Sequence, residues 1–122
     1  MAKDLTVSLL LDFYGDMLTE KQRDVVDFYY NQDLSLSEIA DNEGITRQGV
    51  RDNLKRAEGQ LRDMEARLGL VKRFDAIRGG LDAIVLHSEE IMSFNAKNGR
   101  YKVIDESAES VVKLAKKLAS EI

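Results

Sequence analysis

Apolar positions recur at helical spacing along most of the chain, and the pattern is sharpest between Leu34 and Gly69. Ser35-Leu36-Ser37-Glu38 has the form of a capping box, in which the serine oxygen and the glutamate carboxylate satisfy backbone N–H groups at a helix start. Ile39 and Ala40 then point to one side while Asp41, Asn42 and Glu43 stay wet. Gly44 supplies the left-handed conformation that ends a helix without a Cβ clash. Ile45 fills the corner and Thr46 caps the next helix. That helix has an apolar stripe of Val50, Leu54, Ala57, Leu61, Met64 and Leu68 at alternating steps of four and three. The order Ala40, Gly44, Ile45, Val50 predicts two helices crossing steeply around a tight corner, a helix-turn-helix.

Supporting helices are predicted on both sides. From Asp4, Leu5, Leu9 or Leu10, Phe13 and Leu18 mark a first helix that breaks near Gly15. Thr19-Glu20-Lys21-Gln22 is a second capping box, opening a helix with Val25, Val26, Phe28, Tyr29 and Tyr30 that Asn31-Gln32-Asp33 ends. No basic residue lies between Asp24 and Glu43, so these tyrosines read as packing against the motif rather than as a platform for nucleic-acid bases. Beyond Gly69, Leu70, Phe74, Ile77, Leu81, Ile84 and Ile91 form a seam in which Ser88 takes the skipped position. Gly79-Gly80 marks either a break in this helix or close approach by another one. Residues 95–100 read as a turn. From Asp105 a last helix is expected to bury Ile104, Ala108, Val111, Ala115, Leu118 and Ile122. The two late stripes either fold onto one subunit's core or form a dimer seam.

The fold class is therefore all-α: a helix-turn-helix domain over residues 1–69 and a long-helix extension over 70–122 that is a candidate dimerisation segment, the two expected to form one compact unit. At 122 residues the chain has a one-domain length. The absence of proline fits a mostly helical chain. With no cysteine there is neither a disulfide framework nor a thiolate metal site. The start, Met1-Ala2-Lys3-Asp4, lacks the features of a signal peptide, and the apolar run Val7 to Leu11 is interrupted by Ser8 and far below the roughly 20 residues of a membrane span, so a cytoplasmic protein without membrane insertion is expected.

Charge divides by segment. Residues 1–46 carry three bases against ten acids, residues 47–73 eight bases against four acids, and residues 74–122 seven against eight. A freestanding DNA binder usually has a broad basic footprint, whereas the bases here are confined to the second motif helix and its continuation. Catalysis is the class that the sequence supports least. His87 is the only histidine and has no HExxH or cysteine partner, Glu89-Glu90 and Asp105-Glu106 read as solvated carboxylates, and no glycine-rich phosphate loop exists. No enzyme activity, cofactor or metal is expected.

The second motif helix carries the functional expectation. Arg47, Arg51, Lys55, Glu58 and Arg62 are predicted opposite its buried stripe, with Gln48 close by and Thr46 at its start, a face able to reach phosphates and base edges. Asp52 and Glu58 weaken a purely phosphate-binding role.

Three stretches carry a resemblance: Leu18-Thr19-Glu20-Lys21-Gln22-Arg23-Asp24-Val25, Leu34-Ser35-Leu36-Ser37-Glu38-Ile39-Ala40 and Ile45-Thr46-Arg47-Gln48-Gly49-Val50 look like region 4 of bacterial sigma factors. The continuation, Arg51-Asp52-Asn53-Leu54-Lys55-Arg56-Ala57-Glu58, departs from the basic sigma pattern and is similar to the YlxM family of small bacterial helix-turn-helix proteins, which nearly the whole chain resembles. That resemblance implies a sigma-region-4-like fold. It also implies a link to the signal recognition particle, because the family's genes sit beside the gene for the particle's GTPase, and a regulatory role. Two functions stand: an accessory protein that binds the particle's GTPase or RNA, and a dimeric regulator that binds duplex DNA. In either, Thr46, Arg47, Gln48, Arg51, Lys55 and Arg62 are the candidate contact residues.

Overall fold

A computed structural model describes residues 3–122, so the first two residues of the Met1-Ala2-Lys3-Asp4 start lie outside the described residues. The described residues form six α-helices and no strand, and they divide into two compact units, the first running to Val71 and the second from Lys72 to Ile122. The fold is all-α. No helix among the described residues is long and apolar enough to cross a membrane.

In the first unit, Asp4 starts α1 (Thr6–Tyr14) by accepting the Thr6 N–H at 3.0 Å and its hydroxyl at 2.7 Å. The helix buries Val7, Leu10, Leu11 and Tyr14; of the alternatives Leu9 and Leu10 it is Leu10 that faces inward, while Leu5, expected inside, is exposed. At 100° per residue a helix of little more than two turns can turn only one stripe inward, and positions 7, 10, 11 and 14 form it. A 3₁₀ turn over Gly15–Met17 leads to buried Leu18. The capping box Thr19/Gln22 then opens α2 (Glu20–Tyr30), and Ser35/Glu38 opens α3 (Leu36–Glu43), both with reciprocal hydrogen bonds as predicted. Gly44 ends α3 at φ +67°, and the Thr46 hydroxyl accepts the Gly49 N–H at 2.9 Å to begin α4 (Arg47–Leu68). Val25, Val26, Ile39, Val50, Ala57 and Leu61 are fully or almost fully buried in the core cluster that α1, α2, α3 and α4 share.

The end of α4 differs from its pattern. Met64 is half-buried, but Leu68 is 48% exposed. Gly69, at φ +62°, turns the chain one residue later, and Leu70 and Val71 take the inward places. The corner is held by Tyr14: its hydroxyl donates to Glu65 Oε1 at 2.5 Å and accepts the Leu70 N–H at 3.1 Å, while Glu65 Oε1 also accepts the Val71 N–H at 3.1 Å. Two backbone donors at the start of the next helix, which has no earlier turn to bond to, are thereby satisfied.

In the second unit, α5 (Leu70–Lys97) runs unbroken through Gly79-Gly80, and a Cβ added to either glycine meets nothing within 4 Å. The pair neither breaks the helix nor meets another segment among the described residues, although each glycine weakens a helix interior by about 1 kcal/mol. The turn is shorter than expected: α5 continues to Lys97 and α6 spans Lys102–Ser120. Asn95 organises it. Its side-chain amide donates to the Tyr101 carbonyl at 2.8 Å and to Asp105 Oδ1 at 2.9 Å, its side-chain oxygen accepts the Tyr101 N–H at 2.9 Å, and its backbone carbonyl accepts the Arg100 N–H at 2.8 Å. At the other end of the hairpin Arg78 donates to the Ile122 carbonyl at 2.7 Å.

The hairpin buries small and polar residues: Ser88 and Asn95 on α5, Ala108 and Ala115 on α6. Ile104, Val111 and Leu118, expected inside, and the α5 seam residues Ile77, Ile84 and Ile91, left open between one subunit's core and a dimer seam, are each 40% or more exposed. Two helices alone can each bury one seam, and the positions with small side chains let their backbones approach most closely. The bulkier stripe is left beside the seam.

Candidate partner-binding face

The crossing of α3 on α4 fixes where the second motif helix presents its side chains. Ile39, Ala40 and Val50 are buried at the crossing, so the α4 stripe Val50, Leu54, Ala57 and Leu61 is held inward. Arg47, Arg51 and Lys55 then form a row four residues apart, about 6 Å per step along the axis. All three are exposed, as is Arg56, and none of the four belongs to an ion pair among the described residues. Gln48 is exposed and donates to Asp52 at 3.0 Å, and Thr46 is engaged as the helix cap.

The row lies on the flank of α4 next to α2, not opposite the buried stripe. Glu58 shows this, because its side chain is only 18% exposed and accepts a short hydrogen bond from the Tyr30 hydroxyl. Arg62 sits in the same network, 3.7 Å from Glu58 and 3.3 Å from Asp4. Of the candidate contact residues, Arg47, Gln48, Arg51 and Lys55 share one exposed region. Arg62 stands about 22 Å along the helix from Arg47 with its charge already met.

The tyrosines do pack against the core, and Tyr29 and Tyr30 meet edge to face with centroids 5.1 Å apart. They are nevertheless not remote from cations. A hollow of about 480 Å³ is walled by Tyr29, Tyr30, Leu36 and Leu54 and edged by Arg51 and Lys55, and the Lys3 ammonium lies 4.1 Å over the Tyr29 ring. Sequence reasoning missed this grouping because it looked for bases within α2, whereas they arrive from α4 and from the chain start. The one available signal was the four-residue spacing of Arg51 and Lys55 beside Leu54. The neighbouring motif helix α3 offers Glu38, Asp41 and Glu43 and no base.

Burial and the hydrogen bond to Glu58 push the Tyr30 hydroxyl up from its ordinary 10, and burial and Glu65 act the same way on Tyr14. A raised tyrosine pKa favours the folded state below the unfolded value of about 10 and loses that advantage as pH rises through the folded value. Urea stability is therefore expected to hold up to about pH 10 and then fall. In a Tyr14→Phe/Tyr30→Phe variant, weaker at neutral pH, that alkaline decline should be shallower. An identical decline in both proteins would sink the assignment of alkaline sensitivity to these two hydroxyls.

Comparison with known proteins returns one family. Its sequence model, described as "Putative helix-turn-helix protein, YlxM / p13 like" and designated UPF0122, matches residues 1–98. A UPF0122 protein of Thermoanaerobacter sp. (strain X514) is 44% identical over 110 residues, covering 90% of this chain and 94% of its own length. Another, from Acetivibrio thermocellus, is 40% identical over 115 residues, covering 92% of this chain and 98% of its own. A third, from Desulforamulus reducens, is 52% identical over 68 residues, covering 56% of this chain and 58% of its own.

Proposed function

Because the chain belongs to the UPF0122 family of YlxM/p13-like helix-turn-helix proteins, we propose that it is a non-catalytic accessory or regulatory protein of the cytoplasm that binds the RNA or the GTPase of the signal recognition particle through Arg47, Gln48, Arg51 and Lys55. The observation that carries this reading is the charge contrast across the motif. A helix-turn-helix docked in the major groove of duplex DNA brings its first helix across the phosphate backbone. Here that helix, α3, offers three carboxylates and no base to those phosphates, beside an α4 row of cations that form no ion pair among the described residues. Such a surface suits a partner that meets the α4 row without passing over α3, as an RNA loop or an acidic protein patch does. The resemblance to proteins whose genes adjoin that of the particle's GTPase supports the choice of partner. A second reading, a dimeric regulator of transcription, draws on the same row: Arg47, Gln48 and Arg51 lie in the first turns of α4, where a recognition helix touches bases.

One panel separates them. Wild type and an Arg47→Ala/Arg51→Ala/Lys55→Ala variant are titrated against the particle's RNA, its GTPase and duplex DNA at two salt concentrations. The variant should remain folded, since all three side chains are exposed. On a single-stranded RNA segment its salt dependence should flatten by about 0.7 for each phosphate no longer neutralised, whereas flattening seen only on duplex DNA, at about 0.9 for each such phosphate, would favour transcription. Unchanged binding of every ligand by the folded variant would remove the α4 row from the account.

A further inference from the structure

The exposed stripes of the second unit share one side of the hairpin. Ile84 precedes Ser88 by four residues and Ile91 follows it by three, and Ile104 and Val111 stand in the same relation to Ala108. Both stripes are thus rotated in the same sense from the buried seam, and in two antiparallel helices such positions open on a common face. A groove of about 600 Å³ near the turn bears this out, since it is lined by Ile91 and Phe94 from α5 and by Ile104 from α6. By the same rotation Asp82, Glu89, Glu109 and Lys116 occupy the opposite side. A hairpin that is polar on one side and apolar along the other is half of a four-helix bundle.

We propose that the missing half is a second copy of this chain, its hairpin laid face to face with the turns at opposite ends. The surface is self-complementary end for end. Ile77 to Ile91 on α5 and Ile104 to Leu118 on α6 span the same fourteen residues, about 21 Å, so a reversed copy centred near His87 overlaps more than half of the α5 stripe. Bulk and space are complementary too. Phe94, 69% exposed, lies near the turn, and Gly80, on the same line of α5 two seven-residue repeats earlier, has nothing within 4 Å of an added Cβ. A two-fold axis crossing α5 near His87 sets Phe94 of each copy over Gly80 of the other, which gives the glycine pair the approaching helix that its own chain does not supply. Hairpins with their turns at the same end would instead lay each α5 over the other copy's α6 and leave Gly80 without Phe94. Closure about a two-fold axis uses one patch twice and leaves no apolar face over.

The test uses the full chain without any ligand, so it succeeds or fails independently of what α4 binds. Sedimentation of the wild type should give a dimer at micromolar concentration. Val111→Glu, which places one carboxylate per copy in the apolar face, should weaken association by about 100-fold or more while leaving helicity unchanged, because Val111 is 41% exposed within one chain. Orientation is read from cysteine pairing, since the chain has no cysteine of its own. In a Gly80→Cys/Phe94→Cys variant the two thiols of one chain are about 21 Å apart, beyond the 4.4–6.8 Å between α-carbons that a disulfide requires, so any disulfide joins two copies. Most of this variant should oxidise to covalent dimer, and neither single variant should. A wild type that remains monomeric at a hundred micromolar, or a Phe94→Cys single variant that pairs as fully as the double one, overturns the proposal.

Discussion

Leu61→Ala is expected to destabilise the first unit by about 2–5 kcal/mol, whereas Leu68→Ala, one seven-residue repeat further along the same stripe, should cost well under half as much. Leu61 is fully buried in the cluster shared by α1, α2, α3 and α4, so its removal opens a cavity among side chains fixed by three neighbouring helices. Leu68 is already half in water, and Gly69 ends the helix directly after it. For a unit of this size such a loss at Leu61 lowers the melting temperature by roughly 8 °C or more. The measurement is urea unfolding followed by hydrogen exchange at Val26 and Val50, which report the first unit alone. Equal losses for the two variants would mean that the α4 stripe packs over its whole length.

The contrast between Leu61 and Leu68 shows where sequence reasoning succeeds. Signals that act within a few residues were legible: Thr19 with Gln22, Ser35 with Glu38, Gly44 at positive φ and Thr46 as a cap all do what their chemistry dictates. The crossing of α3 and α4 followed from the same local pattern, because Ile39, Ala40, Ile45 and Val50 are the apolar positions flanking a corner whose geometry Gly44 fixes. What could not be read depends on partners distant in the chain. Tyr14 meets Glu65 across 51 residues, and without that contact nothing marks Leu70 rather than Leu68 as the inward residue. Arg62 looked like a further member of the cationic row until Asp4, 58 residues away, was brought beside it.

In α5 and α6 the difficulty is of another kind. Each helix carries two adjacent stripes, and the period of the pattern is the same for both, so hydrophobicity alone favours the bulkier one. Backbone approach decides against it: Ser88 lies in the seam with Ala108 and Ala115, and Asn95 lies there because only there can its amide reach Tyr101 and Asp105. A polar side chain in the seam of a helical hairpin fixes register, since sliding the helices past each other would leave it buried without partners.

Asn95 therefore carries the second large effect, and its three substitutions are expected to separate. Asn95→Ala removes three side-chain hydrogen bonds and leaves the Tyr101 N–H and carbonyl to find other partners, a loss of about 1–3 kcal/mol for each buried group left unmet. Asn95→Asp keeps an acceptor for the Tyr101 N–H but aims a carboxylate at the Tyr101 carbonyl and at Asp105, so at neutral pH it should be worse than alanine, by about 3–5 kcal/mol relative to wild type. As pH falls into the carboxylate range one of the two facing acids takes a proton and becomes a donor, and the deficit of the aspartate variant should narrow while that of the alanine variant does not. Asn95→Leu should preserve helicity but release the register, giving exchange broadening of the Ala108 and Ala115 amides in nuclear magnetic resonance spectra. The readout for the first two is hydrogen-exchange protection of the Ala108 and Ala115 amides across pH. If the aspartate variant matches alanine at every pH, the Asn95–Asp105 hydrogen bond does not hold the turn, and the burden shifts to the backbone bond from Arg100 to the Asn95 carbonyl.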